Sequence, residues 1–174
     1  GLQLLEQVLE RHAGGRTDRE LLTAEPLGPL VGEIARVTIV FDDSGELAAF
    51  RRAHTEWYAA LVERIEEQRA NSPLSFAPYE PAALATLDAD YPELLAALGH
   101  AGDERDTSSL LRLSAALRPY WRTKRLFEDA TVQLEWVVSL LPDEPPAEAG
   151  PTLNGAAFFA YLRGDWERAR VYGE

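Results

Sequence analysis

Apolar residues recur every three or four positions along almost the whole chain, and that period limits the fold more than any other feature. The longest seam is Leu47, Phe50, His54, Trp57, Leu61 and Ile65, with Tyr58 and Val62 widening it to a core-facing stripe. It predicts a helix over 44–69, opened by Asp43 and Glu46 as a capping box and broken at Asn71-Ser72-Pro73. Only one stretch competes with helix. Val37-Thr38-Ile39-Val40-Phe41 is β-branched and reads equally as a buried strand, although Leu30, Ile34, Val37 and Phe41 keep helical spacing behind Pro29. No second strand is visible to pair with it, so helix is expected there. The expectation is an all-α fold of about seven to nine helices in antiparallel hairpins, with any strand confined to 36–41.

The stripes divide the chain further. Leu2, Leu5, Val8 and Leu9 form one, stopped at Gly14-Gly15, and Thr17 with Glu20 caps a short second helix ending before Pro26. Pro81 opens a short helix carrying Leu84 and Leu87, and Asp90 with Glu93 caps another, bearing Leu94, Leu95 and Leu98 and closed by Gly99. Thr107 or Ser108 caps a helix with Leu110, Leu113, Leu117, Tyr120 and Trp121 inward. The next carries Leu126, Ala130, Leu134, Val137, Val138 and Leu141 and ends at Pro142. A stiff acidic loop leads to a helix over Thr152–Arg163, a Gly164-Asp165 turn and a last helix from Trp166. Residues 1–46 are thus an unassigned N-terminal helical segment, and 47–174 one helical domain.

Charge and composition exclude several functions. Seventeen basic residues against 29 acidic give a net charge of −12, which disfavours direct contact with nucleic acid or an anionic membrane. There is no cysteine for disulfides, thiolate metal sites or thiol nucleophiles. No apolar run reaches 18 residues, so no membrane span is expected, and a cytoplasmic location is. The chain holds no methionine, which favours an excised piece of a longer protein. No phosphate-binding G-x-x-x-x-G-K-[ST] loop, H-E-x-x-H helix or G-x-S-x-G elbow occurs. His12, His54 and His100 lie in three separate elements, so no metal is expected. His54, on an apolar seam, reads as a core-edge histidine with one satisfied nitrogen rather than a base. The pair Asp42-Asp43 reads as a cap, Glu66-Glu67 as a solvated face and Asp88/Asp90 as a loop leading into a cap. Asp42-Asp43-Ser44-Gly45-Glu46 has too few ligands for calcium. Arg118, Arg122, Lys124 and Arg125 flank Tyr120-Trp121; they read as cations at a helix C-terminus or, alternatively, as an anion or acidic-peptide contact.

The last two hairpins repeat at an offset of 39 residues, which lays Phe127-Glu128-Asp129-Ala130 on Trp166-Glu167-Arg168-Ala169 and Tyr120 on Phe159. This is the logic of tetratricopeptide-like repeats. Leu153, Ala157, Gly164-Asp165-Trp166 and Ala169 take its packing positions, while Arg125 stands where the first copy's turn glycine belongs. Counting from Ala157, the groove side receives Asn154, Phe158 and Tyr161, with Ala115, Pro119 and Arg122 beside them. Such a set can hold the carboxylate or backbone of an extended peptide; the competing reading packs Phe158 and Tyr161 between repeats. The outer face of the last helix, around Val171 and Tyr172, is expected to be exposed or covered by a second copy in a homodimer.

Four stretches carry a family resemblance: Arg51-Arg52-Ala53-His54 through Tyr58, Leu87 through Leu98, Leu110 through Trp121, and Leu153 through Arg170. In order and spacing they resemble the helical, tetratricopeptide-like region of large actinobacterial LuxR-type regulators, the signal-transduction ATPases, over about 51–174. The resemblance implies a non-catalytic sensor or interaction module without a cofactor. Its surface would bind a protein, peptide or inducer and thereby control an ATPase elsewhere. The alternative is a small-molecule-binding helical sensor or an unrecognised enzyme with a pocket near His54, which a deep pocket and a charged partner for that residue would favour.

Overall fold

A computed structural model describes residues 46–71 and 78–173. The readings made on 1–45, including the two N-terminal helices, the 36–41 strand and the Asp42-Asp43 turn, lie outside the described residues. Those residues form an all-α fold: α1 (Glu46–Ala70), α2 (Pro81–Asp103), α3 (Thr107–Lys124), α4 (Phe127–Ser139), α5 (Gly150–Leu162) and α6 (Trp166–Gly173), with a 3-10 turn at Ala147–Ala149 before α5. No described helix is long and apolar enough to cross a membrane.

The long seam folds as its spacing requires. Phe50, His54, Tyr58, Leu61, Val62 and Ile65 of α1 are buried, and α2 and α3 cover them. Leu87, Leu94 and Leu98 of α2 meet Leu110, Leu113, Leu117 and Trp121 of α3 in one continuous core, which Ala130, Leu134 and Val137 of α4 and Phe159 of α5 extend. Each helix from α3 onward packs on the next, and α3 also touches α5. Arg112 bridges α3 to α1, its guanidinium lying 2.7 Å from both Glu56 and Glu63.

Two sequence expectations fail along α2. The two short helices expected between Pro81 and Gly99 are one helix, which passes through Pro92 and Gly99 to Asp103. Pro92 is exposed, as is Asp88, the residue whose carbonyl the missing N–H leaves without its intrahelical partner. Asp90 is therefore no cap; it is buried against α1, where burial of the Tyr58 phenol, and after it the Asp90 charge, push that phenol up. The α3 cap is Asp106, whose carboxylate accepts from the Ser109 N–H at 3.1 Å, rather than Thr107 or Ser108.

Three helix ends share one turn. Arg105, Arg125 and Gly164 all have left-handed backbones, with φ of 53°, 57° and 79°. In each, the N–H of the next residue reaches back to the carbonyl five positions earlier: Asp106 to Ala101, Leu126 to Trp121 and Asp165 to Ala160. This is the Schellman closure of a helix C-terminus. The arginine that breaks the glycine pattern at 125 thus takes the glycine's conformation, and a third copy of the turn stands at 105.

Candidate functional site

The helix α5 has two dissimilar sides. Thr152, Gly155, Ala156, Phe159 and Ala160 are buried, so Ala156 rather than Ala157 takes the innermost small position. At 100° per residue, Asn154, Phe158 and Tyr161 fall within about 60° of one another on the other side, and all three are exposed. Phe158 is 39% and Tyr161 54% exposed; their rings meet Phe159 at 5.3 Å and Trp166 at 4.9 Å, edge to face. Trp166 is itself 64% exposed and Val171 60%, and α6 has no buried residue. Tyr172 departs from expectation, being partly buried against the core.

The α3 side of this face is set by close approach. Ser114 and Thr152 share a hydrogen bond at 2.9 Å, and the Arg118 side chain crosses Gly155, where any Cβ would collide with it. Arg118 donates to the Pro151 carbonyl. The paired steps 114 to 118 and 152 to 155 make α3 and α5 run parallel, which carries Arg122 to the level of Phe158 and Phe159. Arg122 is exposed, and its charge acts on Arg118 and Tyr79. Ala115 and Pro119 are half-buried beside it.

A cleft of about 620 Å³ opens between α4 and the α5–α6 turn, with Trp166 shared between it and this face. Thr131, Glu135, Arg163, Asp165, Trp166 and Arg168 line it. Arg168 is committed there, paired with Glu135 and, at 3.5 Å, with Asp165.

Histidine 54 does have a charged partner. Its Nε2 lies 3.1 Å from Glu93 Oε2, and its ring meets those of Tyr58 and His100 at 4.7 and 5.3 Å. Two of the three histidines therefore converge, because α2 runs unbroken past Gly99; His12 lies outside the described residues. Burial lowers the His54 pKa against the raising pull of Glu93, and burial together with the neighbouring His54 lowers that of His100. Among the described residues no three ligand side chains are placed to hold a metal. Glu66 is not merely solvated: it accepts from Tyr79 and pairs with Arg69 at 2.7 Å.

Sequence reasoning passed over Gly155, gave Glu93 only a capping role and gave Trp166 a packing position, whereas the structure leaves Trp166 64% exposed. A small residue at 155 in the α5 stripe was a signal for close approach; nothing in the spacing linked positions 54 and 93. No family model, curated protein or solved structure matches the chain.

Proposed function

We propose that this chain is a non-catalytic helical interaction module that binds a protein or peptide on the face of its last hairpin. The observation that carries the reading is the exposed pair Tyr161 and Trp166, edge to face at 4.9 Å, on a hairpin whose second helix has no fully buried residue. Exposed apolar clusters of that kind mark binding surfaces. The repeated left-handed turns at 105, 125 and 164 support a tetratricopeptide-like stack, in which successive hairpins present one continuous face. The ordered stretches between Arg51 and Arg170 support placing the module in an actinobacterial LuxR-type regulator in the cytoplasm. Its partner would there control the linked ATPase.

A photo-crosslinking residue at position 166, expressed within the parent protein in its own cells, tests the reading. It should trap a defined protein that the same residue at position 52 does not. A second copy of the chain as the adduct would make the face a homodimer contact, and no adduct at all overturns the module.

A second reading, a small-molecule sensor built around His54, draws on the Glu93 pair. Against it, the two side chains are only 6% and 12% exposed, which leaves little surface for a ligand.

A further inference from the structure

We propose that the flank between α3 and α5 is an anion site for a carboxylate of an acidic, partly apolar peptide, with Arg118 as the group that meets it. The proposal rests on the interaction-module reading and names the chemistry of the partner.

Arg118 differs from the other well-placed cations of the domain. Arg69 meets Glu66, Arg112 meets Glu56 and Glu63, Lys124 meets Asp88, and Arg168 meets Glu135. Arg118 is half-buried and meets only the Pro151 carbonyl, a single acceptor for a group with five N–H donors. Its charged neighbour is Arg122, of the same sign, and among the described residues no carboxylate bears on it. A guanidinium beside a second one, with most of its N–H donors unused by the protein, is stabilised by a bidentate anion. Gly155 lets the Arg118 stem cross α5, so the guanidinium lies on the flank that leads to Asn154 and Phe158. Asn154 adds an amide and Phe158 an exposed ring, which suits a carboxylate carried on a short segment with apolar neighbours.

Charge selects the source. A chain of net charge −12 repels an extended polyphosphate, whereas a peptide with one or two carboxylates meets the local positive field at little cost. Arg118 is then a positive point on an acidic molecule, complementary to a carboxylate.

The test uses unlabelled twelve-residue peptides rich in Leu and Ser that carry two Glu (Glu/Leu), two Gln (Gln/Leu) or two phosphoserines, with inorganic phosphate as a free anion. The Arg118 side-chain N–H signal is followed by NMR in the unaltered protein, assigned through Arg118→Gln. The Glu/Leu peptide should shift it saturably, and the Gln/Leu peptide should not. Arg118→Gln should weaken Glu/Leu binding at least about tenfold, Arg118→Lys should restore part of it, and Arg52→Gln should leave it unchanged. Equal binding of the Glu/Leu and Gln/Leu peptides, insensitive to position 118, overturns the anion site while leaving the module standing. Stronger response to phosphoserine or free phosphate overturns the carboxylate assignment. A silent Arg118 signal with every probe overturns the anion site, and crosslinking at position 166 then judges the module alone. Because the signal is read in the unaltered protein, a variant that fails to fold does not shelter the proposal.

Discussion

Two glycines show how one missing Cβ can serve different ends. A Cβ on Gly102 would overlap the Trp136 indole, a rigid ring wedged between α2 and α4. Gly102→Ala should therefore lower stability by about 1–3 kcal/mol, the usual cost of overpacking, read from the urea midpoint. The atoms nearest a Cβ on Gly155 all belong to Arg118, a flexible side chain that can swing aside. Gly155→Ala should change stability by less than about 1 kcal/mol, since a better helix former offsets the contact, while displacing the guanidinium. The histidines give the residue scale a pH dependence. His54 and His100 both titrate below the usual 6.5 because burial disfavours their charged forms. The unfolded chain then binds more protons than the folded one as pH falls through 6.5, so their contribution is fully present above 6.5 and is lost below it. Unfolding free energy measured at pH 7.5 and 5.5 should fall toward the acid side. His54→Gln, which can still donate to Glu93, should flatten that slope.

Among elements, the three Schellman turns make a graded series. Arg105 and Arg125 hold left-handed backbones that a Cβ disfavours, and Gly164 holds one freely. Arg105→Gly and Arg125→Gly should each raise stability by about 0.5–1 kcal/mol, and Gly164→Ala should lower it by about 1 kcal/mol. Chemical denaturation of the three variants checks the order; equal effects at all three sites would mean that the turns are not equivalent. The caps differ as well. Asp106 and Asp165 each accept from the N–H three residues on, at 3.1 Å, whereas Leu126 has no side chain that can. Helix α4 instead starts with Glu128 and Asp129 in its first turn, where carboxylates favour the positive end of the helix.

At the scale of the molecule, stability is graded from one end to the other. The helices α1, α2 and α3 close around one another and hold most of the largest buried side chains, while α6 is held by α5, by the Tyr172 contact and by the Arg168 pairs. An exposed ion pair contributes about 1 kcal/mol or less, so α6 should open well below the global unfolding free energy. Amide exchange should be fastest in α6 and slowest in α3. Equal protection of the two would show that the last hairpin is locked into the core. A binding surface on that hairpin would gain protection when occupied, which gives partner binding a direct readout.

The chain's period determined that the described residues are all-α and, for most of them, which face inward, because a helix fixes its own faces every 3.6 residues. The α1 seam, the inward set of α3 and the turn at Gly164 were all legible for that reason. The 39-residue offset was legible too, and even led to Arg125, since a turn's geometry is set by its neighbours' hydrogen bonds as much as by glycine. Tertiary structure alone decided whether Pro92 ends a helix or rides in one, because that depends on which way the unserved carbonyl faces. It alone brought Glu93 and His100 to His54 and the Arg118 side chain to Gly155. Those meetings join positions on different helices, whose relative rotation and register come from packing across the core and leave no period in the chain.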